Sequence, residues 1–221
     1  MSGMDRRAAL RLLGSASAVG FGVGAAEAAT AAEQAARAVK AASRGKAYVP
    51  KFFSAHEWRT VRLLVDMIIP RDERSGSATD AGVPEFMDFL MIDPGEDDRA
   101  REWRQTAMRG GLAWIHAACR RRFGHDFVEA SEAERVALLD DIAYEPDDDE
   151  ADDEGPGDRP DRRVRIEHGP AFFSSFRDLT ASGFWTSQMG VEDLQYQGNT
   201  FVAEWKGPPP EVLARLKLNG R

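Results

Sequence analysis

The segment FSAHEWRTVRLLVDMIIP, residues 53–70, leaves the backbone little choice. Ser54 and Glu57 stand in S-x-x-E spacing, a capping box in which each side chain satisfies an amide the other end leaves orphaned. Trp58, Val61, Val65 and Ile68 recur at helical intervals, and Leu64 widens the stripe. Pro70 has no amide hydrogen and ends the run. A chain that commits to such a helix has to cover its apolar face, and the sequence supplies further helices to do so.

A second helix starts near Pro84, whose fixed φ suits a first turn, and carries Phe86, Phe89 and Leu90. A third spans about 97–122, with Trp103, Ala107, Trp114, Ile115 and Ala118 on one side and Gly110-Gly111 as a bend or close-packing point. Ser131 and Glu134 repeat the capping box ahead of Val136, Leu139 and Ile142, and PAFFSSFRDLTASGF sets Phe172, Phe176 and Leu179 on a last helix. The helical tryptophans read as core. No segment alternates at period two. The expected class is all-α, a small domain of about five helices.

Residues 29–50 are Ala-rich with scattered charge and read as a flexible or loosely helical lead-in, ahead of one helical domain over 51–221. Residues 145–162, EPDDDEADDEGPGDRPDR, have no apolar anchor to offset the entropy of ordering, so a solvated, disordered loop is expected. From Gly183 onward aromatics, glycines and prolines mix without periodicity. Large apolar side chains on irregular backbone mark a surface meant for a partner.

The start of the chain reads as an address. Arg6 and Arg7 precede a run diluted by Gly, Ala and Ser and interrupted by Arg11, too weakly apolar for a transmembrane helix. Paired arginines, an apolar stretch and the A-x-A step Ala26-Glu27-Ala28 form a twin-arginine signal peptide over 1–28. The alternative is a retained amphipathic or membrane-anchoring N-terminus. Removal would make a chain of net charge −8 one unit more acidic, with no electrostatic reason to bind nucleic acid or anionic lipid. The single cysteine, Cys119, allows no internal disulfide.

Motifs for chemistry are missing. GFGVGA at Gly20 imitates a dinucleotide loop without a preceding strand. HEWRT at His56 puts Thr60 where a zinc helix needs its second histidine, so His56 reads as a first-turn residue and no metal site is expected. A calcium loop started at Asp147 has Asp152 at the glycine position, and one started at Asp148 has Asp153 there. Cys119 has His116 one turn back, but three arginines follow it, and a buried small residue is the better reading. Ser174 and Ser175 lack a nucleophile elbow. No catalytic or cofactor-binding residue is assigned.

Two blocks carry a resemblance. FFSAHEWRTVRLLVDMIIPRDERSGSATDAGVPEFMDFLM, residues 52–91, resembles the gluconate 2-dehydrogenase subunit 3 family, the small subunit of membrane-bound flavin sugar and polyol dehydrogenases. GFWTSQMGVEDLQYQGNTFVAEWKG is similar to the family's closing segment. One departure stands out: family members often end W-x-G-C-P, whereas here Gly207 is followed by Pro208, which removes any disulfide from that position.

The resemblance implies a noncatalytic small subunit. In such complexes a large flavoprotein of the glucose-methanol-choline type holds FAD and oxidises the sugar, and a multihaem cytochrome c subunit often takes the electrons. The small subunit often carries the twin-arginine signal for both, which implies a periplasmic location, peripheral to the inner membrane, and contact with the twin-arginine export machinery. Partner-facing candidates are Asp80 and Gly82 in the polar loop, and Trp185, Tyr196, Asn199 and Trp205 in the tail. The competing expectation is an independent periplasmic enzyme or small-molecule-binding protein with a tryptophan-lined pocket.

Overall fold

The computed structural model describes residues 24–93, 98–143, 169–195, 207 and 210–215, and every regular element among them is helical. In chain order these are α1 Ala25–Ala42, α2 Ala55–Ile68, α3 Val83–Met91, α4 Asp98–Phe123, α5 Glu132–Asp140, α6 Gly169–Thr186, α7 Gln188–Asp193 and α8 Pro210–Arg215. The all-α class is as the sequence implied. Arg6, Arg7, the acidic stretch 145–162, Tyr196, Asn199 and Trp205 lie outside the described residues.

The short helix α3 is the centre of the packing. Seven of its nine residues are buried, and α1, α2, α4 and α6 all contact it. A helix buried on most sides has few polar neighbours, so its ends need partners from elsewhere. Arg104 on α4 donates to the carbonyl of Leu90 at 2.8 Å, and Gln105 donates to that of Met91 at 2.6 Å. Both are last-turn carbonyls of α3 that no helical amide reaches. On its other face Asp88 is fully buried and accepts from Tyr48 Oη and from the amides of Lys51, Phe52 and Phe53. One carboxylate thereby fixes the turn that leads into α2, whose Ser54–Glu57 capping box forms as read from sequence.

Residues 29–50 are less loose than the sequence suggested. Most of them lie in α1, whose Ala28, Ala31 and Ala35 are buried against α3. Alanine has little surface to bury but allows close approach, and that is what the site requires. Gly82, the N-cap of α3, sits at φ 85°, and a Cβ there would come within 2.6 Å of Val39. The A-x-A step lies inside α1, with Ala28 buried and Glu27 closing the helix's first turn through the amide of Gly24.

The long helix α4 turns inward the face the sequence suggested over its C-terminal half, but not at Trp103. Trp103 is 55% exposed, whereas its neighbour Arg104 is fully buried with Met108, Leu112 and Ile115. A buried arginine is tolerated when its donors find acceptors, and Arg104 has the Leu90 carbonyl and Glu27. Of the expected stripe Ile115 and Ala118 are buried and Ala107 and Trp114 pack against the core, so Trp103 alone departs from it. Of the glycine pair, Gly111 is the close-packing point: an added Cβ would lie 1.9 Å from Phe172 on α6, while Gly110 faces open space. On α5, Val136 is exposed and Leu138 joins Leu139 and Ile142 in the core. Helix α6 runs to Thr186, and Ser187 caps α7 by accepting from Gly190 N, so regular structure extends past Gly183 into the expected irregular tail.

Candidate functional site

The loop between α2 and α3, residues 69–82, is braced by its own side chains. Asp72 accepts from the amides of Arg74 and Ser75 at 2.8 Å each. Asp80 accepts from the amide and hydroxyl of Ser77 and from Arg71. Asp66 on α2 takes the Thr79 amide at 2.7 Å, and Ala78 N donates to Ile69 O. Aspartates at these offsets mimic backbone turns, so the loop is a rigid protrusion. Asp80 stays partly exposed but is committed to holding the turn. Gly82 is buried beneath α1 and has no face left for a partner.

The loop meets α7. Arg74 Nε lies 3.3 Å from Asp193 Oδ1, and its guanidinium also donates to the Asp193 carbonyl. Gly76 lies so close to Met189 that an added Cβ would be 3.0 Å from its Cε. Two segments more than a hundred residues apart thus form one edge, with a surface cleft lined by Arg74, Ser75, Met189, Glu192, Asp193 and Gln195. No tryptophan lines it. Beside the cleft Trp185, Val191 and Leu194 are 40%, 40% and 55% exposed, and Val191 and Leu194, three residues apart, share a face. Trp185 packs edge-to-face on Phe184, ring centroids 4.9 Å apart, which leaves the rest of its indole outward.

A second cluster joins α2, α4 and the turn before α5. His116 Nδ1 lies 2.6 Å from Asp126 Oδ1, and His56 Nε2 lies 3.4 Å from the same oxygen. Arg120 donates to Asp126 Oδ2 at 2.7 Å. Thr60, in the place of the missing zinc-helix histidine, instead contacts His116 Nε2 at 3.1 Å. Burial pushes the His116 imidazole below its ordinary range, against the opposing pull of Asp126. For Asp126 burial works upward, but the Val128 amide, His116 and Arg120 outweigh it and hold the carboxyl low. Spacing along one helix could not show this cluster, because its second histidine arrives from another helix. Cys119 is fully buried, and burial with the charges of Asp126 and Glu134 pushes its thiol up, which disfavours the nucleophilic thiolate.

Helices gathered on one short central helix, with a self-braced loop and an apolar edge beside it, define a compact all-α protein with a rigid outer face. The chain belongs to the gluconate 2-dehydrogenase subunit 3 family, whose model matches residues 55–203. That is a family of accessory subunits that partner with other subunits of a dehydrogenase complex. The matched stretch takes in both the braced loop and α7. No curated protein and no solved structure matches the chain.

Proposed function

We propose that this chain is a noncatalytic small subunit that binds, stabilises and co-exports a large FAD-containing flavoprotein of the glucose-methanol-choline type. The observation that carries the reading is the edge itself: two sequence segments within the family match come together at Arg74–Asp193 and present Trp185, Val191 and Leu194 outward. Exposed apolar side chains on a braced backbone lose little entropy on docking. A stable contact would bury at least about 1,200 Å² in total, so the edge would be one part of a larger interface. FAD belongs to the partner; a multihaem cytochrome c subunit would complete some such complexes.

Arg6 and Arg7 support export by the twin-arginine route, the small subunit carrying the folded flavoprotein through as a passenger into the periplasm. No helix among the described residues is long and apolar enough to cross a membrane. The experiment is co-expression with a flavoprotein subunit of the glucose-methanol-choline type from the same organism. Co-purification of the two chains is expected, and an Arg6,Arg7→Lys,Lys variant should retain the flavoprotein in the cytoplasm. Failure to co-purify, with export unaffected by the double lysine change, would sink the reading.

A further inference from the structure

Thr60 touches the histidine cluster. Its hydroxyl lies 3.1 Å from the carbonyl oxygen of His56, to which it donates, and 3.1 Å from His116 Nε2, in a contact whose donor depends on the tautomer of the ring. The other ring nitrogen of His116 is Nδ1. That atom lies 2.6 Å from Asp126 Oδ1, yet no hydrogen bond of acceptable angle satisfies it, on a residue only 8% exposed. An imidazole nitrogen this close to a carboxylate oxygen shares a cation with it, either a proton or a metal ion.

His56 tips the choice toward metal. Its Nε2 faces the same Asp126 oxygen at 3.4 Å, and the three donor atoms all lie within 4.8 Å of one another. The two imidazoles meet edge to face, centroids 4.5 Å apart at 89°, so both can direct a nitrogen at one point without stacking. Four ligands at about 2.0–2.2 Å around a tetrahedral ion stand roughly 3.4 Å apart. The His56–Asp126 separation already matches, and the His116–Asp126 pair would have to open by less than about 1 Å.

We propose that His56, His116 and Asp126 form a binding site for a divalent transition-metal ion of the Zn²⁺ class, with its fourth position open toward solvent. Two imidazoles and one carboxylate suit Zn²⁺, Co²⁺ or Ni²⁺ better than Ca²⁺ or Mg²⁺, which prefer all-oxygen shells. The outer partners that orient metal ligands are present: Thr60 holds the far nitrogen of His116, and Arg120 holds the far oxygen of Asp126. His56, its side chain 42% exposed, is the entry path. The ion would staple α2 and α4 to the turn before α5.

This site goes beyond the accessory-subunit reading, and the full chain alone tests it with no flavoprotein present. Titration of metal-free protein with Zn²⁺ by calorimetry should give one equivalent bound and a higher Tm. Co²⁺ should give the intense visible bands of a four-coordinate nitrogen–oxygen site. His56→Ala, a change at a half-exposed position, should weaken Zn²⁺ binding by at least about tenfold while leaving the metal-free melting curve in place. Independently of any variant, a wild-type chain that shows neither Zn²⁺ heat nor a Co²⁺ band overturns the proposal, and so does binding that His56→Ala leaves unchanged. In either case His116 and Asp126 are a side-chain contact within the fold and hold no metal.

Discussion

Glu27 Oε2 lies 3.4 Å from Arg104 Nη2, so the first turn of α1 reaches a fully buried guanidinium on α4. The same carboxylate oxygen accepts the Gly24 amide at 2.9 Å and closes the helix. A cut after Ala28 would remove both contacts and open a helix whose Ala28, Ala31 and Ala35 are packed on α3. A chain exported after folding would shield that bond. Under the export proposed above, the mature N-terminus is therefore expected at or before Gly24, and N-terminal sequencing of the chain recovered from the periplasm checks it. A chain starting at Ala29 would show that α1 forms without its first turn.

Asp88 is a fully buried carboxylate with four donors. It accepts from the Tyr48 phenol at 2.6 Å and from three consecutive amides, those of Lys51, Phe52 and Phe53. Burial and the nearby Asp88 charge push the Tyr48 phenol far above its ordinary range, so it remains a donor. Asp88→Asn would turn an NH₂ toward donors that need an acceptor. The expected loss is about 2–3 kcal/mol, read as a lower Tm by circular dichroism; Asp88→Ala should cost more, since every donor then loses its partner.

The glycine pair on α4 separates two effects that sequence alone merges. Gly111→Ala would place a Cβ 1.9 Å from the Phe172 ring and should cost about 1–3 kcal/mol by overpacking the α4–α6 crossing. Gly110→Ala meets nothing within 4 Å and should stabilise by about 0.5–1 kcal/mol through helix propensity. Urea unfolding of the two variants would show opposite signs.

What the sequence made legible follows from where the information resides. Capping boxes are local, and Ser54–Glu57 and Ser131–Glu134 form as their spacing implies. Which face of a helix turns inward is decided at a distance. Trp103 was the natural core residue until Glu27 and the Leu90 carbonyl are seen to satisfy Arg104. The alanines of α1 gave no apolar stripe, because their packing depends on a glycine at position 82 under Val39. The Arg74–Asp193 edge and the His56–His116–Asp126 cluster each join distant segments, and no local pattern encodes such a meeting.

Glu85, half-buried in the first turn of α3, leaves one carboxylate oxygen without a partner. Burial raises its pKa and Asp88 adds to the effect, against the pull of Arg62. A folded-state value above the unfolded one gives stability that is fully present below the ordinary 4.5 and lost as pH rises through the folded value. Glu85→Gln removes that loss. Its Tm should match wild type near pH 4 and exceed it by about 2–4 °C at neutral pH. A gain of equal size at both pH values would show that the charge is not the cause.

Leu194 separates docking from folding. It is 55% exposed, follows α7, and shares a face with Val191 next to the Arg74–Asp193 contact. Leu194→Glu takes no apolar surface out of the core, so stability should stay within about 0.5 kcal/mol of wild type. A carboxylate set into an apolar contact must be desolvated without a partner, so recovery of the flavoprotein in a pull-down should fall at least about tenfold. Gly111→Ala is the opposite control, since it strains the core and leaves this edge untouched. Should Leu194→Glu retain the flavoprotein in full at unchanged Tm, the α7 edge is not where the partner sits, and docking would have to be sought on another face of the helical body.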